Sequence, residues 1–250
     1  DISPSFKVSG GTWYPPNSDG TKGSGEKMTL RQAMARSINS ITAQVLQRIG
    51  PDNVVEFAKR VGIKSQLDPV PSLCLGTSDV SLYEMVGAYA TFVNEGIYTE
   101  PYYITRIEDR NGNVIENFVP KTRQAISEQT AFKMVYMLKG GVEEEGGTSA
   151  GMNGALLTNN EVGGKTGTTN DASDGWYMGI TPALVTGVWV GGDERSIHFP
   201  SLKLGQGSKS ALPIWEAFML KAYSDRSTGI SKGQFKPPPS EPDISLKCED

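Results

Sequence analysis

The stretch Val162-Gly163-Gly164-Lys165-Thr166-Gly167-Thr168-Thr169 decides how this chain folds. Read as a strand, it alternates its side chains, so Lys165 and Gly167 share one face while Thr166 and Thr168 share the other. A glycine inside a strand weakens it, and marks a place where a ligand or another backbone approaches closely. Two further runs rich in β-branched and aromatic residues follow at 175–180 and 184–190, with Thr181-Pro182 in the turn between them. Short turns joining three successive strands predict an antiparallel sheet. A cation beside two hydroxyls and an open backbone suits an anionic, extended ligand such as a peptide C-terminus. An exposed strand edge would also pair with such a peptide by β-augmentation. The plain alternative is a surface strand carrying a solvated lysine.

Upstream of this sheet the sequence reads mainly as helix. Thr29 opens a helical stretch with Leu30, Ala33 and Met34 on one face, and Ile41, Val45, Leu46 and Ile49 continue the spacing to Gly50. Ser37-Ile38-Asn39-Ser40 interrupts it, because Ser and Asn favour caps and turns over helix interiors. Pro51 starts a short helix ending at Gly62, and the apolar spacing from Val80 to Val93 marks another, closed by Asn94-Glu95-Gly96. Arg110-Asn111-Gly112-Asn113 between two apolar runs predicts a hairpin. Ser127 to Leu138 reads as a helix ended by Gly140-Gly141, and Trp215 to Tyr223 as a terminal helix. Residues 1–28 are read as loop, with Trp13 and Tyr14 anchoring it. Helices before a later antiparallel sheet predict an α+β, three-layer domain over 1–223, followed by a polar, Pro-rich tail over 224–250.

Composition removes whole classes of function. The 250 residues carry 24 basic and 28 acidic side chains, and no basic stripe with interleaved aromatics occurs, so nucleic acid is not an expected partner. No apolar run reaches the length of a membrane span. A single histidine, His198, rules out multi-histidine metal sites, and no cofactor is expected. Cys74 and Cys248 are too few for a zinc knuckle or a disulfide scaffold, and are read as incidental thiols. Glu143-Glu144-Glu145 is read as a solvated run after a helix.

The Ser37-Ile38-Asn39 break gains meaning from the lysine strand. A Ser and an Asn two apart at a helix break point into one cleft, and acyl transfer at serine without histidine needs another base, such as a lysine. Ser37-Ile38-Asn39 together with Lys165-Thr166-Gly167 resembles the penicillin-binding proteins and serine β-lactamases, whose signatures are S-x-x-K, S-x-N and K-T-G. Tyr14-Pro15-Pro16-Asn17, the run from Leu30 to Asn39, Leu75-Gly76-Thr77, the run from Lys165 to Asp171 and Asp174-Gly175-Trp176-Tyr177-Met178-Gly179 resemble the transpeptidase domain of the bifunctional class. The likeness runs from about residue 10 to 220.

The resemblance implies a D,D-transpeptidase that cross-links peptidoglycan stem peptides ending in D-Ala-D-Ala and is acylated by β-lactams. It implies that Ser37 relays a proton toward the leaving group and that Asn39 holds the substrate amide. Lys165 would support the Ser37 hydroxyl, Thr166 and Thr168 would bind the terminal carboxylate, and the Thr168 N–H would serve an oxyanion hole. Gly167 and Thr169 belong to the same implied substrate-binding strand. A cell-envelope location on the outer face of the cytoplasmic membrane is implied as well, with anchorage only through a region outside this sequence.

One motif departs from the family. The formal S-x-x-K match, Ser24-Gly25-Glu26-Lys27, lies in Gly-rich loop sequence and too close to Ser37, and Ser5-Phe6-Lys7 has the wrong spacing. The acylated serine and its lysine are therefore expected on residues before Asp1, leaving the chain inactive alone. The alternative is a non-catalytic module that binds peptidoglycan peptides. Loss of an S-x-x-K helix is further expected to expose apolar faces of the helices at 30–49 and 80–93, and so to favour self-association.

Overall fold

The computed structural model describes residues 1–239, which leaves Cys248 and the end of the 224–250 tail outside the described residues. In chain order the elements are β1 (Phe6–Val8), β2 (Gly11–Trp13), α1 (Leu30–Ala35), α2 (Asn39–Ile49), α3 (Pro51–Arg60), α4 (Leu82–Val93), β3 (Ile97–Thr99), β4 (Arg106–Glu108) and β5 (Val114–Asn117). They continue with β6 (Thr122–Gln124), α5 (Glu128–Glu143), α6 (Gly154–Leu157), β7 (Gly163–Thr168), β8 (Asp174–Ile180), β9 (Val185–Gly191), α7 (Leu202–Gly205) and α8 (Ala211–Ser224).

The main sheet has the antiparallel order β7-β8-β9, so β7 is an edge strand. One face of this sheet packs on α4 and α5, with the end of α3 joining the same cluster, around Val61, Ala88, Phe92, Val135, Leu138 and Ile180. The other packs on α6 and α8 around Leu156, Tyr177, Leu212, Trp215 and Met219. Tyr177 and Trp215 meet edge to face with ring centroids 5.2 Å apart. The expected α+β, three-layer arrangement of helices and antiparallel sheet is therefore the observed one.

Local chemistry explains the helix starts. Thr29 and Gln32 form a reciprocal capping box at α1, as Ser81 and Glu84 do at α4. Each such cap stabilises by about 1 kcal/mol. The Glu84 carboxylate also accepts from Lys64 N, Ser65 N and Ser65 Oγ, and these donors hold its pKa down to about 2. Asp109 accepts the N–H groups of Asn111 and Asn113, which closes the β4–β5 hairpin where the Asn-Gly signal placed it.

Three expectations need correction, and one pairing was not anticipated. Residues 1–28 are not all loop: β1 and β2 form a two-stranded hairpin pairing Phe6 with Trp13. Strands β3 and β6 pair across intervening sequence, a contact no local pattern announces. Helix α5 does not end at Gly140-Gly141 but runs through both to Glu143. A Cβ on Gly141 would lie 2.7 Å from the Gly164 carbonyl oxygen, so the missing side chain is what lets α5 lie against β7. Finally, α4 buries Gly87, Ala88, Thr91 and Phe92. Broad apolar exposure of the helices at 30–49 and 80–93 is absent; only Leu30, Ile49 and Tyr83 stand out to solvent there.

The segment after α8 folds back on the domain. The Glu161 N–H donates to the Gly233 carbonyl (2.8 Å), and Phe235 N–H donates to the Glu161 carboxylate (2.7 Å). Phe235 packs on the core beneath α4 and α5. Cys74 has no disulfide partner among the described residues, and burial pushes its thiol pKa up to about 11.

Candidate active site

Ser37 occupies the turn between α1 and α2. Its N–H donates to the Met34 carbonyl (3.1 Å) and that of Ile38 to the Ala33 carbonyl (2.9 Å). These two bonds form a Schellman motif, whose key residue sits in the left-handed region and is usually glycine. Ser37 takes that role with φ +58°. An L-residue there costs about 1–2 kcal/mol, and strain of this kind collects where a side chain is needed.

That side chain meets the lysine strand. Lys165 Nζ donates to Ser37 Oγ (2.8 Å) and to the carbonyl of Thr166 (2.8 Å). Both acceptors are neutral, and burial lowers the amine from 10.5 to about 8. The Ser37 hydroxyl keeps its own proton to donate. Neutral and protonated lysine are thus both accessible near physiological pH, as a residue in proton transfer requires.

Asn39 is the first residue of α2. Its Nδ2 donates to the Pro16 carbonyl (2.9 Å), while its Oδ1 accepts nothing among the described residues. Asn17, next in that loop, accepts the Ser40 N–H (3.0 Å) and so caps α2 from outside the helix. The Tyr14-Pro15-Pro16-Asn17 segment therefore does more than anchor a loop: it fixes the helix start that carries Asn39. Sequence spacing alone did not reveal this cap, because cap and helix lie 23 residues apart.

On β7 the predicted alternation is present. Gly163 backs onto α5, Lys165 points to the Ser37 side, and Gly167 faces Trp176 on β8. The Thr166 hydroxyl has no partner among the described residues. The Thr168 hydroxyl accepts the Gly207 N–H (3.0 Å), a contact with no local signal in the chain, and retains a proton to donate. Thr169 is used differently: its hydroxyl accepts the Asp174 N–H (2.8 Å) and binds Ser173, which closes the β7–β8 turn. The structure thus brings Ser37 to Lys165 on the β7 edge, while the printed side-chain contact of Asn39 is to the Pro16 loop.

Residues 24–27 are not helical, and Ser24 Oγ donates to Asp1. His198 Nδ1 lies 2.9 Å from the carbonyl oxygen of its neighbour Phe199. Among the described residues no cluster could hold a metal ion, and no helix is long and apolar enough to cross a membrane.

With this geometry in view, the sequence profile of the penicillin binding protein transpeptidase domain matches residues 3–194. The chain belongs to the penicillin-binding protein transpeptidase family. It is similar to penicillin-binding protein 1A of Aquifex aeolicus, with 39% identity over 213 residues, 84% of this chain and 27% of that protein. It is 32% identical to penicillin-binding protein 1A of Vibrio cholerae, over 86% of this chain and 31% of that protein. The chain therefore spans roughly three-tenths of these relatives. The solved penicillin-binding protein 1A of Haemophilus influenzae superposes with a TM-score of 0.78 at 28% identity, covering 95% of this chain and 40% of that one. PonA1 of Mycobacterium tuberculosis, solved with penicillin V, shares the fold with a TM-score of 0.78 at 23% identity, covering 100% of this chain and 69% of that one. The α+β architecture of this transpeptidase family and the lysine-strand motif thus coincide in one molecule.

Proposed function

We propose that this chain forms one wall of a D,D-transpeptidase site that cross-links peptidoglycan stem peptides ending in D-Ala-D-Ala and that is blocked by β-lactams. The observation that carries this reading is the 2.8 Å hydrogen bond from Lys165 Nζ to Ser37 Oγ. In the reaction a serine oxygen attacks the penultimate carbonyl carbon, the C–N bond to the terminal D-Ala breaks, and the leaving amine takes up a proton. In this reading Ser37 relays that proton, and the hydrogen bond from Lys165 to its hydroxyl supports the role. Asn39 Oδ1 accepts the substrate amide N–H. The hydroxyls of Thr166 and Thr168 bind the terminal carboxylate, Gly167 keeps the strand edge low beneath the peptide, and Thr169 fixes the turn that ends it. The Thr168 N–H supplies half of the oxyanion hole, and removing such a donor typically costs about 2.7–4 kcal/mol. A second amine then attacks the acyl-enzyme and completes the cross-link.

Against Ser24 as the acylated residue stands the need of such a nucleophile for a helix that sets its lysine one turn on, since residues 24–27 form no helix. We infer that the acylated serine is supplied by residues outside this sequence. In the longer protein the site faces outward from the cytoplasmic membrane. Intact-mass measurement after incubation with a labelled penicillin tests this assignment: the chain is expected to remain unlabelled, and a penicilloyl adduct on Ser24 or Ser37 overturns it. A longer chain carrying an S-x-x-K helix is expected to take the label; refusal there favours a module that only binds peptidoglycan peptides.

A further inference from the structure

Helix α5 contradicts its own local preferences at one turn. Two glycines stand inside it, and Glu143 and Glu144 crowd its C-terminus, where the helix dipole disfavours anions. Glu143 and Glu145 are exposed, as read from the sequence, and only Glu144 is partly covered; two of the three nonetheless have a cation as partner. Arg31 of α1, with its side chain only 12% exposed, pairs with the carboxylates of both Glu143 and Glu144. Its Nε donates to the Tyr136 carbonyl (3.0 Å) and its guanidinium stacks on the Tyr136 ring. Gly140 makes room for this, since a Cβ there would lie 3.0 Å from Arg31 Cγ.

The same turn grips the other end of α1. Thr148 N–H donates to the Ala35 carbonyl (3.0 Å), and Arg36 Nε donates to the Glu145 carbonyl (2.9 Å). Ala35 and Arg36 immediately precede Ser37. On its opposite side this turn presents Gly141 to Gly164, the neighbour of Lys165. The turn at 140–148 is therefore a spacer touching both the helix that ends at Ser37 and the strand that carries Lys165.

We propose that Arg31 is a positioning residue which, through its ion pairs with Glu143 and Glu144, sets the separation of the Ser37 hydroxyl and the Lys165 amine. This rests on the Ser37–Lys165 pair being the working site. Loss of the clamp lets α1 shift, and water then reaches the Lys165 amine.

The test is a titration of the Lys165 side chain by NMR in the full chain carrying 13C-labelled lysine, with the Lys165 signal assigned by its loss in Lys165→Met. Two variants are compared, Arg31→Gln and the double variant Glu143→Gln/Glu144→Gln. Their direct electrostatic effects on a nearby amine have opposite signs: removing a cation raises its pKa, and removing anions lowers it. A positioning role predicts that both raise it toward 10.5, by about one pH unit, because both wet the amine. Shifts of opposite sign, or no shift accompanied only by a lower melting temperature, overturn the proposal. If Arg31→Gln does not fold, Arg31→Lys replaces it. That variant keeps the charge but not the planar fork, so an upward shift supports the proposal and an unchanged titration overturns it. Binding of a D-Ala-D-Ala peptide to the unmodified chain is measured in parallel. Its absence alongside upward shifts in both variants removes the functional reading while leaving the positioning role in place.

Discussion

Lys165 Nζ and Ser37 Oγ lie 2.8 Å apart although 128 residues of chain separate them. The contact joins an edge strand to a strained helix–helix turn, and its energetics are unfavourable on both sides. Lys165 gives up water, and Ser37 adopts a backbone conformation suited to glycine.

The lysine half of that cost has a pH signature. The native amine releases its proton near 8 while the unfolded chain holds it to 10.5, so between those values the unfolded state binds more protons and stability rises with pH. Below that window the penalty is fully present, about 3 kcal/mol. Lys165→Met is expected to resist urea better than the unmodified chain at pH 7, with the difference narrowing toward pH 10.5. Urea midpoints at the two pH values read this directly, and a difference independent of pH contradicts it.

The serine half is tested by two substitutions that both delete the hydroxyl. Ser37→Ala keeps a Cβ in the left-handed region, whereas Ser37→Gly does not. Ser37→Gly is expected to be more stable than Ser37→Ala by about 1–2 kcal/mol in chemical denaturation. Equal stabilities count against strain at this turn.

The returning segment after α8 holds the approach to β7. Phe235→Ala is expected to cost about 1–2 kcal/mol, as for a partly buried aromatic side chain. It should also accelerate hydrogen exchange at the Glu161 amide, which donates to the Gly233 carbonyl. Unchanged exchange at Glu161 would show that the segment is not a brace.

What the sequence made legible was whatever is encoded locally. The helix start at Thr29, the Asn111-Gly112 turn and the glycine-bearing Lys165 strand each state their structure within a few residues. The Ser37–Lys165 pairing was reached from matching chemistry and from family likeness, not from spacing. What stayed hidden was set by distant partners. Gly140 and Gly141 look like a helix stop, and become helix interior only because Arg31 and Gly164 press against them. Three successive glutamates read as a solvated run, and Glu143 and Glu145 are exposed, but the pairing with an arginine 112 residues from Glu143 has no local signal. Asn17 caps a helix to which it does not belong, and β3 pairs with β6 rather than with a neighbour.

The central claim is that the Ser37–Asn39 turn and the Lys165–Thr168 strand line one groove for a peptide ending in a D-alanine carboxylate. The most direct measurement is a backbone amide NMR titration of the chain with diacetyl-L-Lys-D-Ala-D-Ala. The predicted result is a set of shift changes centred on Ser37, Asn39 and Lys165–Thr168, absent with the L-Ala-L-Ala peptide and abolished by Lys165→Met. Changes confined to other surfaces, or equal responses to both peptides, would contradict the account.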